Sequence, residues 1–283
     1  MAAGNEDLLI KLALEEDLGK EGDITSESVF TDQAGKYRLL AKESGILCGI
    51  GIFTKVYKAV DSETLVTAWF EDGDEIKSGD VVADIEGRVV SILKAERTSI
   101  NFLAMLSAIA TKTSLFVKQS GGKVKILDTR KTIPGYRILS KYAVRCGKGL
   151  NHRTGLYDMA LVKDTHIDAA GSIEKAVEKI RDRFGHAVKI EVEARDLEEV
   201  KKAVESGADR IMLDNMSDEI TADAVRFIAG RTETEASGNM SLERIDTVSK
   251  TGVDYISFGE LTHTIKSFDF SLKNINYTEK KVK

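Results

Sequence analysis

The chain has 283 residues, too many for one small core and enough for two domains or one barrel with an appendage. Its 42% hydrophobic and 31% charged residues, net charge −5, are ordinary for a soluble globular protein. The acidic start MAAGNEDLLIKLALEEDLG lacks the basic n-region of a secretory signal, the run INFLAMLSAIA is about half of the ~20 apolar residues a membrane span needs, and Cys48 and Cys146 form no CxxC, so a cytoplasmic protein with no membrane partner and no structural zinc is expected.

NEDLLIKLALEEDLG predicts an N-terminal helix. From about Tyr37 to Ile92 the turn signals ESG, EDGD, KSGD and EGR punctuate strand-like segments such as LVTAWF and DVVADI, which predicts a small β-rich domain. No GxGxxG spacing occurs there, so its glycines are read as turn residues and not as a phosphate loop. Ser91 to Ser120 predicts one long helix, with Ile92, Ile100, Leu103, Leu106, Ile109 and Phe116 at helical spacing. After it, the strand-like KVKILDT, DMALVKD, KIEVEA, RIMLDN, TETEAS and YISFGE alternate with amphipathic segments such as GSIEKAVEKIRDRFG and DLEEVKKAVESG. Such repeated βα units predict a parallel barrel or an open parallel sheet. The tail FDFSLK alternates apolar and polar residues and predicts a strand with one buried face.

The ends of the βα strands carry the functional signal. In order they give Thr129, Arg130 and Lys131; Lys163 and Asp164; Glu193; Asp214 and Asn215; Ser237, Gly238 and Asn239; and Gly259 with Thr262 and His263 beyond. A single polar residue at such a place is usually a loop residue or a helix cap, but all of them together mark the face where parallel barrels keep their active sites. The first of these ends opens DTRKTIPGYR, which holds the only proline. After its basic pair Arg130 and Lys131 come Arg137, Lys141, Arg145, Lys148, His152, Arg153 and Lys163 against few acids, a local reversal of the chain's charge that predicts an anionic ligand. The cations Arg130, Lys131, His152, Arg153 and Lys163 suit a clamp for carboxylate or phosphate. Glu193 and Asp214 suit ribose hydroxyls or an oxygen-ligated divalent ion. The EASGN and SFGELTH segments bring small residues before helix starts, where backbone N–H groups receive phosphate.

These residues also carry a resemblance. DTRKTIPGYR with KYAV, GLNHRTGLYDMALVKDTHI, EVEARDLEEV with GADRIMLDN, EASGNMS and TGVDYISFGELTH resemble the motifs of the quinolinate phosphoribosyltransferases, in register from AERTSINFLAMLSAIAT to SFDFSLK. The resemblance implies an α/β fold: an N-terminal α/β sandwich with the linking helix over 1–112, an incomplete parallel α/β barrel over 113–266, and a C-terminal strand and tail over 267–283. It implies a homodimer, or a larger assembly, whose active sites lie between subunits, with Arg97 entering from the neighbouring subunit. It places Arg130, His152, Arg153 and Lys163 around the quinolinate carboxylates, and Lys131, Glu193 and Asp214 at phosphoribosyl pyrophosphate and its Mg2+, with Glu193 and Asp214 as metal ligands. Ser237, Gly238, Asn239 and Gly259 are placed at the 5′-phosphate, and Thr129 and Ser257 among the substrate-binding residues; Lys131, Lys163, Glu193 and Asp214 form the catalytic set. Two positions depart from the family pattern: Lys148 stands where glycine is usual and Thr165 where asparagine is usual.

The implied reaction is attack by the acceptor nitrogen on C1 of the donor ribose as pyrophosphate leaves, followed by loss of CO2 beside the quaternised ring nitrogen. Three rivals stand beside it. A relative with another acceptor is disfavoured by the intact TRK, NHR and LVKD; a Schiff-base aldolase would use Lys163; a nucleic-acid-binding protein is disfavoured by 6% aromatics and by cations confined to loop ends.

Overall fold

The computed structural model describes residues 5–275, so the first four residues and the end of the expected tail, 276–283, lie outside the described residues. The chain divides into two compact units, Met1–Thr111 with Ile265–Lys283, and Lys112–Thr264.

The first unit contains α1 (Asn5–Leu18), α2 (Ile24–Val29), β1 (Ala34–Ala41), β2 (Gly45–Ile46), α3 (Ile50–Val60), β3 (Leu65–Ala68), β4 (Glu75–Ile76), β5 (Val81–Arg88) and the start of α4 (Val89–Ser120). Its main sheet has the order β12-β1-β5-β3, where β12 (Phe270–Asn274) is the tail strand, paired antiparallel to β1 with Leu39 opposite Leu272. Tyr37, Leu39 and Ala41 point to one buried face, as period-two alternation requires. One expectation fails in this unit. IGIFTKVYKAV, inside the stretch read as strands and turns, is the helix α3, burying Ile52, Phe53, Val56 and Tyr57 on one face. It has no capping side chain of its own; Asp72 Oδ1 accepts from the backbone N–H groups of Gly49 (2.7 Å) and Ile50 (2.9 Å), so the start signal sits about twenty residues downstream.

Along α4, Ile92, Ala95, Ser99, Leu103, Leu106, Ala110 and Thr113 recur every three or four residues and are fully buried. The apolar run read as half a span belongs to a helix long and apolar enough to cross a membrane, and 61% of that window is buried, as in a core helix.

The second unit runs β6 (Lys125–Leu127), α5 (Arg137–Cys146), β7 (Ala160–Val162), α6 (Asp164–Ala170), α7 (Ile173–Phe184), β8 (Ile190–Ala194), α8 (Leu197–Glu205), β9 (Arg210–Asp214), α9 (Asp218–Ile228), β10 (Glu233–Ser237), α10 (Ile245–Ser249), β11 (Tyr255–Ser257) and α11 (Glu260–His263). Its six strands are all parallel, in the order β6-β11-β10-β9-β8-β7. The last strand therefore pairs with the first, while β6 and β7 do not pair: the sheet is a barrel left open at one place. Along the free edge of β6, Leu150 forms a single parallel bridge with Leu127, its N–H donating to Ile126 and its carbonyl accepting from Asp128. Ile190, Val192, Ile211, Leu213, Ala236 and Ile256 on the strands pack with Val177, Val200, Ala203, Ala224, Ile228 and Val248 on the helices in one core. The alternate strand positions, Glu191, Glu193, Met212, Glu235, Ser237 and Ser257 among them, are left for the opposite face.

Candidate active site

A cavity of about 590 Å³ lies at the C-terminal ends of the parallel strands. Its lining brings together every site residue expected from the sequence except Arg97 and Gly259: Thr129, Arg130, Lys131, His152, Arg153, Lys163, Glu193, Asp214, Ser237, Gly238, Asn239 and Ser257. Arg97 is exposed on α4 in the first unit. Gly259 opens α11, where an added Cβ would stand 3.0 Å from Lys131 Cδ and from the His263 ring, so it sets how closely that backbone approaches Lys131.

Only part of the basic run faces the cavity. Lys141 is buried on α5 and pairs with the fully buried Asp128 (2.5 Å) while also donating to the carbonyl of His152 (2.8 Å). Asp128 further accepts from the His152 N–H (2.8 Å) and from Asn151 Nδ2 (2.7 Å). Burial pushes the Asp128 carboxyl up and the Lys141 ammonium down, each partly offset by the other's charge. Arg145 donates to Asn151 Oδ1 (2.6 Å), and Arg137 spans Thr132 Oγ1 and the carbonyls of Thr154 and Arg130. These three cations brace the loops that carry Arg130, His152 and Arg153; they are scaffold, not clamp.

Arg130 and Arg153 remain as the clamp. The Nε of each is buried with no partner. Burial first, then the charge of Arg130, pulls Arg153 below the ordinary arginine value. Two neighbouring guanidiniums with unfilled donors are the complement of an anion with more than one acidic group. His152 needs a correction, because it was expected to act as a cation. Its Nδ1 accepts the N–H of Arg153 (2.7 Å), so the neutral ring carries its proton on Nε2, and burial holds the imidazole below its ordinary pKa. Its Nε2 stands 2.8 Å from Glu191 Oε2, off the line of a full hydrogen bond.

Lys163 Nζ pairs with Glu193 Oε2 at 3.0 Å, an ion pair and not the isolated amine of Schiff-base chemistry. At the ends of β9 and β10, Asn215 Nδ2 donates to Asp214 Oδ2 (2.8 Å) and Asn239 Nδ2 to Asn215 Oδ1 (3.0 Å). Gly238 has φ +85°, and a Cβ there would collide with the Asn215 amide, so this position of the cradle requires glycine. The cavity also includes Leu161, Met212 and Glu235, which were not anticipated. The signal for Glu235, and for Glu191 beside it, is present in KIEVEA and TETEAS: acids at alternate positions of a parallel strand share one face, opposite the residues that pack on the helices.

An open α/β barrel with a cation and carboxylate cavity at its strand ends defines an enzyme for anionic substrates. Family models for the quinolinate phosphoribosyl transferase C-terminal and N-terminal domains match residues 109–273 and 23–107. A probable nicotinate-nucleotide pyrophosphorylase [carboxylating] of Bacillus subtilis (strain 168) is 42% identical over 91% of this chain and 89% of its own length. A chloroplastic enzyme of the same description from Arabidopsis thaliana is 42% identical over 94% of this chain and 81% of its own. Among solved structures, the nicotinate-nucleotide pyrophosphorylase from Francisella tularensis is similar with TM-score 0.92 and 40% identity, covering 95% of this chain and 96% of that one. The chain belongs to the quinolinate phosphoribosyltransferase family.

Proposed function

We propose that this chain transfers the phosphoribosyl group of phosphoribosyl pyrophosphate to quinolinate and releases nicotinate mononucleotide, pyrophosphate and CO2, a step of NAD biosynthesis. The observation that carries this is the pair Arg130 and Arg153, each with a buried Nε that has no partner, in one cavity with the carboxylates Glu193 and Asp214. One acceptor carboxylate meets the guanidiniums in planar contact, and Lys163 reaches the other. The ring nitrogen is thereby aimed at C1 of the donor ribose, the orientation from which displacement of pyrophosphate proceeds. Glu193 and Asp214 orient the ribose and face the positive charge that develops at C1; Lys131 neutralises the departing phosphates. Ser237, Gly238, Asn239 and Gly259 hold the 5′-phosphate, with Thr129 and Ser257 among the substrate-binding residues. Loss of CO2 follows on the quaternised ring without an electron sink from the protein.

The carboxylate oxygens of Glu193 and Asp214 are the hard donors that suit Mg2+; one oxygen of each is tied to Lys163 or Asn215, leaving a second on each for the ion and its waters. When bound with the donor, Mg2+ supplies charge neutralisation at the pyrophosphate. We further propose a cytoplasmic homodimer in which Arg97 completes the partner's site, with no nucleic-acid or membrane partner. Support comes from the exposure of Arg97 on α4.

Acceptor specificity tests the reading. An acid lacking the second carboxylate leaves part of a buried clamp unpaired, a penalty of about 2–3 kcal/mol. Quinolinate is therefore expected to exceed nicotinate in kcat/KM by roughly 30-fold or more, and comparable values for the two would overturn the assignment.

A further inference from the structure

Directly beneath the clamp, the barrel interior holds two glutamates to which the reaction gives no role. Glu191 on β8 and Glu235 on β10 are both fully buried. An oxygen of each lies within 4.8 Å of the other and of a nitrogen of His152. Both oxygens of Glu191 and Oε1 of Glu235 have no hydrogen-bond donor. The charges around Glu235 are Glu191 from β8, Arg210 from β9 (NH1 to Glu235 Oε2, 3.4 Å) and His152 from the loop beside β6, with the Ser257 hydroxyl from β11. Arg210 is shared, since its NH2 holds Glu233 Oε2 at 3.0 Å, and Tyr255 also donates to Glu233. Arg153 and Glu193 face Glu191 from the cavity side.

Building on the acceptor-binding role given above, we propose that Glu235 is a positioning residue of the quinolinate site: held as a neutral acid, it donates its proton to Glu191, which in turn fixes His152 and, through it, Arg153. Two ionised carboxylates at this spacing, in a dry interior where Arg210 is already shared with Glu233, repel each other and leave oxygens without donors. A proton between them removes one charge and gives one vacant Glu191 oxygen a donor in a single O–H···O⁻ contact. Burial and the Glu191 charge push Glu235 up to about 8, consistent with the acid form at neutral pH. A divalent ion held by His152, Glu191 and Glu235 is the rival occupant. It is disfavoured because His152 Nδ1 already accepts the Arg153 amide, so Nε2 carries the ring proton and has no lone pair for a metal. Arg210 and Arg153 add positive charge beside the same carboxylates.

The consequence is a pH dependence of acceptor binding. Above about pH 8 Glu235 ionises, the Glu191 contact breaks and a new negative charge faces a substrate that is itself a dianion. Quinolinate KM is expected to rise by up to about tenfold per pH unit beyond that point, with kcat changing far less. The folded-state pKa is raised, so the stability linked to Glu235 is fully present below the ordinary carboxylate value and is lost as pH rises through about 8.

The test combines infrared spectroscopy of the whole protein with kinetics on wild type and Glu235→Gln, an isostere of the neutral acid. Expected are a buried carboxylic-acid C=O band in the wild type that vanishes as pH passes about 8 and is missing from Glu235→Gln, and a quinolinate KM in the variant that stays within about threefold from pH 7 to 9. Absence of that band from the wild type at pH 7, an alkaline rise in KM that persists unchanged in the variant, or one equivalent of divalent metal bound in wild type and lost from the variant would each overturn the proposal. The wild-type spectrum needs neither a folded variant nor any activity. A chain that does not use quinolinate would therefore fail the kinetic assay at every pH while the infrared arm still reported on Glu235.

Discussion

Arg130 and Arg153 are worth most where they are least satisfied. A buried guanidinium N–H lacking a partner is a cost to the empty protein that a bound dianion removes, so the binding free energy is concentrated on these two side chains. Arg153→Ala should lower kcat/KM for quinolinate by roughly 30- to 150-fold, the equivalent of about 2–3 kcal/mol for a charged contact. Glu193→Ala and Asp214→Ala should instead lower activity through the donor and its ion while leaving quinolinate binding nearly intact. Calorimetric titration of quinolinate separates the two classes; a loss in Glu193→Ala as large as in Arg153→Ala would show that Glu193 serves the acceptor. The sequence displayed most of these side chains, because polar residues at strand ends stand out against apolar strands. It did not show which cations are free. Lys141 and Arg145 read as members of one basic patch with Arg153, and only the fold reveals that Asp128 and Asn151 consume them. Charge counted along a chain does not show which partners the fold brings to each cation.

Helices and loops show the same limit in a different form. α3 was missed because its cap comes from Asp72, and α5 was not anticipated because its buried face includes Lys141, a residue that breaks the apolar stripe by which a helix is recognised. α4 and the βα units were legible because their periodicities are local. The Asp128–Lys141 pair is the element that joins β6, α5 and the His152–Arg153 loop. Asp128→Ala leaves a buried ammonium uncompensated and should destabilise the protein by about 3–5 kcal/mol in chemical denaturation. A change within 1 kcal/mol would mean that Lys141 can find water instead. Lys148, where the resemblance implies glycine, has φ +66°, the left-handed region that costs a residue with a side chain roughly 1–2 kcal/mol. Lys148→Gly should therefore raise the melting temperature, the gain being reduced by glycine's greater freedom in the unfolded chain. An unchanged or lower value would show that the lysine side chain makes a compensating contact.

At the scale of the whole molecule, the alternation of strand and helix established a parallel α/β architecture, but not where the barrel opens, since the gap between β6 and β7 is a matter of pairing and not of pattern. Assembly is likewise outside what one chain displays. If Arg97 acts across a two-fold interface, Arg97→Ala and Lys163→Ala, each inactive alone, should complement each other when refolded together. Half of the dimers are then mixed and each holds one intact site, so roughly a quarter of wild-type activity returns. No recovery, with subunit exchange confirmed by a tag, would place Arg97 in its own chain's chemistry or in none.

The most direct measurement of the central claim is a product balance. Purified protein is incubated with quinolinate, phosphoribosyl pyrophosphate and Mg2+, and pyrophosphate, CO2 and mononucleotide are followed together. The three should appear in equal amounts, the mononucleotide being that of nicotinate, and none should form without the donor. Pyrophosphate without matching CO2, or no turnover of quinolinate at all while another acceptor is used, would contradict it.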